Sequence, residues 1–285
     1  MDAKGLLRWV GVAGGAGAAL LAAHLLTERR RLRIVRRTYA VEGLPRDLNG
    51  LRVAHLSDLH AGPWVSTSFL MRAVTAANAE RPDIALLTGD YVDLDGGFAE
   101  ACASVLGQLR APLGTYAVLG NHDHEIGAAQ ITAALQADGI TVLCNRAVPL
   151  GQGPEHLWVA GLDDTVSHRG ELREALAAVA PGEPIVLLSH SPDLIYRAAD
   201  HGISLVLAGH THGGQFCLPG LDFMYSPSRF GPRLVGGPIR AGRARLYVSR
   251  GLGVNTLPFR FRCRPEVGLY TLIRPAAAGG GVRRP

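Results

Sequence analysis

Ile84-Ala85-Leu86-Leu87-Thr88-Gly89-Asp90 decides the architecture. Four apolar residues run without a break, then stop at a turn-forming group that ends in a carboxylate. A short apolar run bounded by a turn signal reads as a strand buried on both faces, the kind found inside a parallel sheet. The same grammar recurs along the chain. Arg52–Ser57 closes on Asp58-Leu59-His60, and Thr115–Leu119 closes on Gly120-Asn121-His122-Asp123. Ile185–Leu188 closes on Ser189-His190, and Leu205–Ala208 on Gly209-His210-Thr211-His212. Helical spacing covers Ser68–Ala79, Phe98–Leu109, Ala128–Ala137 and Glu171–Ala178, and further short strands read at Thr141–Leu143, His156–Gly161, Leu246–Ser249 and Gly268–Leu272. Alternating strands and helices predict an α/β domain. The late strands have few helices between them, so a second sheet is expected: a two-sheet β-sandwich flanked by helices.

Outward from that core the chain divides into four parts. Residues 1–28 read as a membrane anchor, 29–48 as a basic linker, 49–274 as the catalytic domain and 275–285 as a disordered tail. The anchor rests on Leu6–Leu26, which is apolar apart from Arg8 and His24 and suits a single bilayer span. A cleaved signal peptide is the rival reading, but the apolar run continues past Ala16-Gly17-Ala18. Residues 1–37 carry eight basic and two acidic side chains, +6, whereas the remainder holds 21 basic and 22 acidic, −1. The Arg29–Arg37 cluster therefore places the catalytic part on the cytoplasmic face of the inner membrane, against anionic lipid. A domain without net basic charge argues against a stable nucleic-acid partner, and no protein partner is inferred. Cys102, Cys144, Cys217 and Cys263 are far apart with no CxxC pair, so they read as buried apolar thiols.

The polar patches carry chemistry. Each stands where an apolar strand stops, and functional groups of α/β folds gather at the carboxyl ends of strands. Asp58 and His60 are two apart, as are His210 and His212, so an extended backbone turns each pair to one side. Buried carboxylates, amides and imidazoles are costly without partners, and packing does not explain so many at consecutive strand ends. His55, alone on an apolar strand, reads instead as a core residue. Mixed nitrogen and oxygen donors without thiolate suit Mn, Fe, Zn, Co or Ni.

These motifs together resemble the calcineurin-like metallophosphoesterase superfamily, over Leu51 to Leu272. The resemblance implies two divalent metal ions. One would be held by Asp58, His60, Asp90 and His212, the other by Asp90, Asn121, His190 and His210, with Asp90 shared. It implies that His122 serves the leaving-group oxygen as a proton or hydrogen-bond donor, oriented by Asp93, with Asp123 the alternative. Ser/Thr protein phosphatases of the superfamily carry Arg-Gly after the second Asp; here Leu94-Asp95 stand there, which argues against that activity.

Gly209–Gln215, Ser249–Gly253, Leu257-Pro258 and Arg264-Pro265-Glu266 look like a bacterial membrane-associated branch. Some of its members hydrolyse UDP-2,3-diacylglucosamine in lipid A synthesis and others are phosphodiesterases. The expected function is hydrolysis of a phosphodiester or diphosphate bond in an anionic, lipid-linked substrate. Hydrolysis of nucleotides or nucleic acid is the alternative, and a non-catalytic scaffold the remote one. From Phe223 to Arg264 the chain has nine Arg and no acid. Part of this stretch is expected to cap the site, with Arg250, Gly213 and Gly214 binding substrate.

Overall fold

A computed structural model describes residues 23–151, 155–217 and 226–275. The chain builds two six-stranded sheets face to face. The first runs β1 (Arg33–Ala40), β12 (Glu266–Ile273), β2 (Leu51–Leu56), β3 (Ile84–Thr88), β4 (Thr115–Val118), β5 (Thr141–Val142). The second runs β10 (Gly237–Ala241), β11 (Ala244–Val248), β9 (Leu205–Ala208), β8 (Ile185–Leu188), β7 (Leu157–Gly161), β6 (Arg146–Leu150). β2 through β5 are mutually parallel, as are β7, β8, β9 and β11. Parallel neighbours need crossovers, and the helices supply them.

Helices α2 (Thr67–Ala79), α3 (Ala99–Leu106) and α5 (Ala128–Ala137) cover the outer face of the first sheet, and α6 (Leu172–Ala175) and α7 (Ile195–Asp200) cover the second. Three apolar layers result. Leu56, Leu87, Ala117, Phe69, Leu70 and Leu106 fill the first helix–sheet layer. Val53, Leu86, Val118, Val186, Leu188 and Leu207 meet between the sheets. Leu187, Val206, Ile195 and Leu246 form the third. Central strands packed on both faces must be continuously apolar, which is why β3, β8 and β9 were legible as unbroken runs.

The linker reading is corrected at residues 33–40. They form the edge strand β1, paired in parallel with all of β12. Val35 and Tyr39 are buried four residues apart, while Arg33, Arg36 and Arg37 face solvent. Arg36 pairs with Glu80 on the neighbouring helix end. Charged residues along an exposed edge oppose pairing with foreign strands, and their density hid the strand. Glu171–Ala178 yields only the single turn α6, since Pro181-Gly182 follows closely. Most of the anchor, residues 1–22, and the tail, 276–285, lie outside the described residues; residues 23–28 are helical and are labelled α1. No helix among the described residues is long and apolar enough to cross a membrane.

Candidate metal centre

The carboxyl ends of β2, β3, β4, β8 and β9 meet along one rim of the sandwich. Asp58 and His60 follow β2, Asp90 follows β3, Asn121 opens α4 (Asn121–Ile126) after β4, His190 follows β8, and His210 and His212 follow β9. The His210 N–H donates to Asp58 Oδ1 at 2.8 Å and ties the two sheets together there, while the His122 N–H donates to Asp90 Oδ1 at 3.0 Å and ties the β4 end to the β3 end within the first sheet. Close approach demands glycine at two points. A Cβ on Gly209 would stand 2.2 Å from Asp58 Oδ2, and one on Gly120 would stand 2.2 Å from Asp90 Oδ1.

Three groups of donors result among the described residues: one of His60, Asp93 and His122, and two that consist of expected ligands. Asp58, His60 and His212 bring ligand atoms within 4.8 Å of one another, and so do Asp90, His190 and His210. His60 Nε2 faces His212 Nε2 at 3.0 Å, and His190 Nε2 faces His210 Nδ1 at 3.2 Å. Asp90 Oδ2 stands between these two groups, 3.1 Å from His190 Nε2 and 3.5 Å from His60 Nε2. Asp58 Oδ1 lies 3.5 Å from His212 Nε2. Asp58 Oδ2 and the Asn121 side-chain oxygen are buried with no hydrogen-bond partner among the described residues. Orphaned buried acceptors are expensive, and a cation would satisfy both. The donor set thus fits divalent metal ions.

Electrostatics gives the same pattern. Burial pushes His190 down, but Asp90, Asp58 and the Thr88 carbonyl outweigh it and raise it to about 10. Burial and His190 lower His210 to about 4. In the other group burial lowers His60, but Asp93, Asp90 and Asp58 overcome it and raise it, whereas burial, His60 and Arg260 hold His212 down. Without metal, His190 carries a proton at neutral pH beside a neutral His210. A metal ion must displace that proton.

The second layer was invisible in the sequence. The Thr88 carbonyl accepts from His190 Nδ1 at 2.7 Å, fixing the ring so that Nε2 faces inward. The Thr88 hydroxyl donates to Ser57 Oγ and meets His55 Nε2 at 2.9 Å; His55 also meets the Tyr270 hydroxyl. His55 is the expected core residue, fully buried.

His122 stands at the rim with its ring centroid 5.0 Å from that of His60. Its Nε2 lies 3.1 Å from the side-chain amide of Asn255, a residue the sequence reading passed over. Neither expected carboxylate hydrogen-bonds to it. Asp93 leans to His60, its Oδ1 3.8 Å from Nδ1, because the Asp93 N–H binds the Ala61 carbonyl and draws this turn beside the β2 loop. Asp123 instead accepts the N–H groups of Asp90, Tyr91 and Gly120 and clamps the turn.

The expected substrate groups are placed differently again. Gly213 and Gly214 are buried turn residues at φ 63° and 75°. A Cβ on Gly213 would meet the Arg250 stem at 2.7 Å and Cys263 Sγ at 2.9 Å, so these glycines face protein. Arg250 is part-buried over them. Arg260, in the same Arg-rich stretch, is fully buried and donates to the carbonyls of Gly253, Arg250, His212 and Cys263.

Residues 51–214 match the model of the calcineurin-like phosphoesterases. The chain belongs to that family. It is 31% identical to the uncharacterized metallophosphoesterase YkuE of Bacillus subtilis, over 80% of this chain and 81% of that protein. It is 33% identical to the phosphodiesterase YaeI of Escherichia coli, over 78% and 82%. It is 35% identical to a Danio rerio transmembrane protein with metallophosphoesterase domain, over 80% of this chain and 54% of that one. The protein is a metal-dependent phosphoester hydrolase, and the donor clusters at its strand ends are able to bind metal ions.

Proposed function

We propose a membrane-anchored phosphodiesterase with two divalent ions, acting on a lipid-linked phosphodiester or diphosphate. UDP-2,3-diacylglucosamine is the named candidate. The observation that carries the two-ion reading is Asp90 Oδ2 standing between two complete donor groups. Asp58, His60 and His212 would hold one ion and Asn121, His190 and His210 the other, with Asp90 shared. Bound there, two divalent ions supply Lewis acidity toward phosphorus and lower the pKa of water. The chain's own side chains do the rest. Asp58 and Asp90 leave the loaded site positive, suited to a phosphate-ester anion. The Thr88 carbonyl aims His190. Asn255 holds His122 at the rim, from which it donates a proton or hydrogen bond to the departing oxygen.

Membrane anchoring draws support from three sides: the apolar run Leu6–Leu26, the Arg cluster behind it, and the printed name of the Danio rerio relative. The geometry adds a fourth. The loop whose Asn255 touches His122 also carries Arg260, whose N–H bonds the Leu25 carbonyl, and Phe261, whose ring stacks edge-on to His24. The N-terminal segment therefore enters the domain beside the rim. Leu257, between them, is 48% exposed, and Trp64, beneath the Arg29 guanidinium, is 50% exposed. Apolar and aromatic side chains with arginines suit a lipid interface. The Arg cluster favours the cytoplasmic face of the inner membrane.

The test is a substrate comparison with the full chain, purified with Mn. UDP-2,3-diacylglucosamine in vesicles, phospholipid diesters, cyclic nucleotides and bis-p-nitrophenyl phosphate are compared by kcat/KM. A preference of about tenfold or more for a lipid-linked substrate is expected; equal or better turnover of cyclic nucleotides removes the lipid reading. His122→Ala should keep its metal and lose about 10²–10⁴-fold in kcat, whereas Asp90→Ala should lose both. Full metal content in Asp90→Ala would sink the shared-ligand assignment.

A further inference from the structure

Two cysteines far apart in sequence meet behind a proposed metal ligand. Cys217 lies just past the turn that carries His212, Gly213 and Gly214, and Cys263 on the loop before β12. A parallel bridge between Phe216 and Phe261 joins the two segments, with the Cys217 N–H on the Phe261 carbonyl at 2.9 Å. Both sulfurs reach the same Gly213 carbonyl at 3.4 Å, and Cys263 Sγ reaches the His212 carbonyl at 3.1 Å. Cys263 is fully buried and Cys217 is part-exposed. One partner is thus open to a reagent and the other waits behind it. Cys102 is buried against the Tyr91 carbonyl, and Cys144 is exposed in the turn between β5 and β6.

We infer that Cys217 and Cys263 form a reversible disulfide that loosens the His212 turn and weakens metal binding there. The oxidant is a low-molecular-weight disulfide. The Cys217 thiolate attacks one of its sulfurs, a Cys217 mixed disulfide forms and one small thiol leaves. The Cys263 thiolate then attacks Cys217 Sγ, the protein S–S bond forms, and the second small thiol leaves. The protein loses two protons and two electrons, and the small disulfide gains both. A disulfide holds its sulfurs about 2 Å apart and has no S–H. Both sulfurs must therefore close on one another, and the His212 and Gly213 carbonyls lose their thiol donors. This turn has little slack, since His210, His212, Gly213, Gly214 and Gln215 are all at positive φ.

The consequence for metal rests on His212 being a ligand; formation of the disulfide does not. The experiment uses the full chain loaded with Mn and a Cys144→Ser background, so that the exposed thiol does not compete. It is equilibrated with glutathione at graded ratios of disulfide to thiol, quenched with iodoacetamide and mapped by peptide mass spectrometry. Metal per chain and hydrolysis of bis-p-nitrophenyl phosphate are followed in parallel. A Cys217–Cys263 cross-link is expected, with metal content and rate falling together at least fivefold and returning on reduction. Cys217→Ser should keep its basal rate and resist the oxidant. A Cys217 mixed disulfide that never resolves to the cross-link overturns the proposal, as does a cross-link that leaves metal content and rate unchanged. The mapping needs no Cys217 variant, so poor folding of one leaves the test intact.

Discussion

At the residue scale, the site is built on unfavourable backbone. Asp58, His60, Asp90, His210 and His212 lie at φ 49°, 45°, 56°, 71° and 52°. Each such conformation costs a non-glycine residue roughly 1–2 kcal/mol, and five of the seven expected ligands carry it. The positive φ turns each side chain back over its own strand end, into the convergence that metal binding requires. The ligand types and their order were legible because no packing argument accounts for them; the strain was not, since Asp and His merely tolerate this region better than most residues. Charge adds to the cost. Asp58 is raised by burial and by Asp90. Asp58→Asn keeps an acceptor for the His210 N–H while removing that repulsion. It should stabilise the metal-free protein by on the order of 1 kcal/mol while lowering metal affinity at least tenfold. Urea unfolding without metal and metal titration check the two halves, and a destabilised metal-free variant would contradict the account. Asn255 was missed because a lone Asn in a loop has no sequence signature. Asn255→Ala should lower kcat about tenfold and have no further effect in a His122→Ala background, as a cycle on a contacting pair requires. Additive losses would show that Asn255 acts elsewhere.

At the element scale, what could be read was whatever is buried on both faces. β3, β8 and β9 are unbroken apolar runs, and their observed bounds fall within a residue of those runs. Edges were harder. β1 buries only Val35 and Tyr39 among arginines, and β6 and β10 each pair with a single antiparallel neighbour and alternate weakly. The Gly120-Asn121-His122-Asp123 patch was read as a strand-end loop, yet its residues from Asn121 onward are the first turn of α4. Asn121 and His122 thereby project from a fixed helix start, held by the Asp123 clamp. Whether residues 33–40 are a working strand is decided by Tyr39. Its ring is buried and stacks edge-on to Tyr270 at 5.5 Å. Tyr39→Ala should cost about 3 kcal/mol in urea unfolding. A change below about 0.5 kcal/mol, the range of surface substitutions, would return this segment to the status of a linker.

At the scale of the whole molecule, each donor group draws on the strand ends of both sheets: Asp58, His60, Asp90 and Asn121 come from the first, His190, His210 and His212 from the second. The layered α/β architecture followed from alternating strands and helices, but the facing of the two sheets, and hence which donors meet, is a tertiary fact carried by the apolar layer between them. A polar chain runs through that interior from Tyr270 through His55 and Thr88 to Ser57, directly under the site. It makes the fold sensitive to acid. Burial lowers His55 from 6.5 to about 3. Between those values the unfolded chain binds a proton that the folded chain refuses, so stability falls as pH drops below 6.5 and levels off near 3. At pH 4.5 the loss from this one group is roughly 2–3 kcal/mol. His55→Gln offers amide partners to Thr88 and Tyr270 but does not titrate. Its metal-free unfolding free energy, followed by urea from pH 7 to 4.5, should decline less steeply than that of the parent by about that amount. Parallel curves would mean that His55 takes its proton in the folded state, and that the polar chain beneath the metal centre admits water.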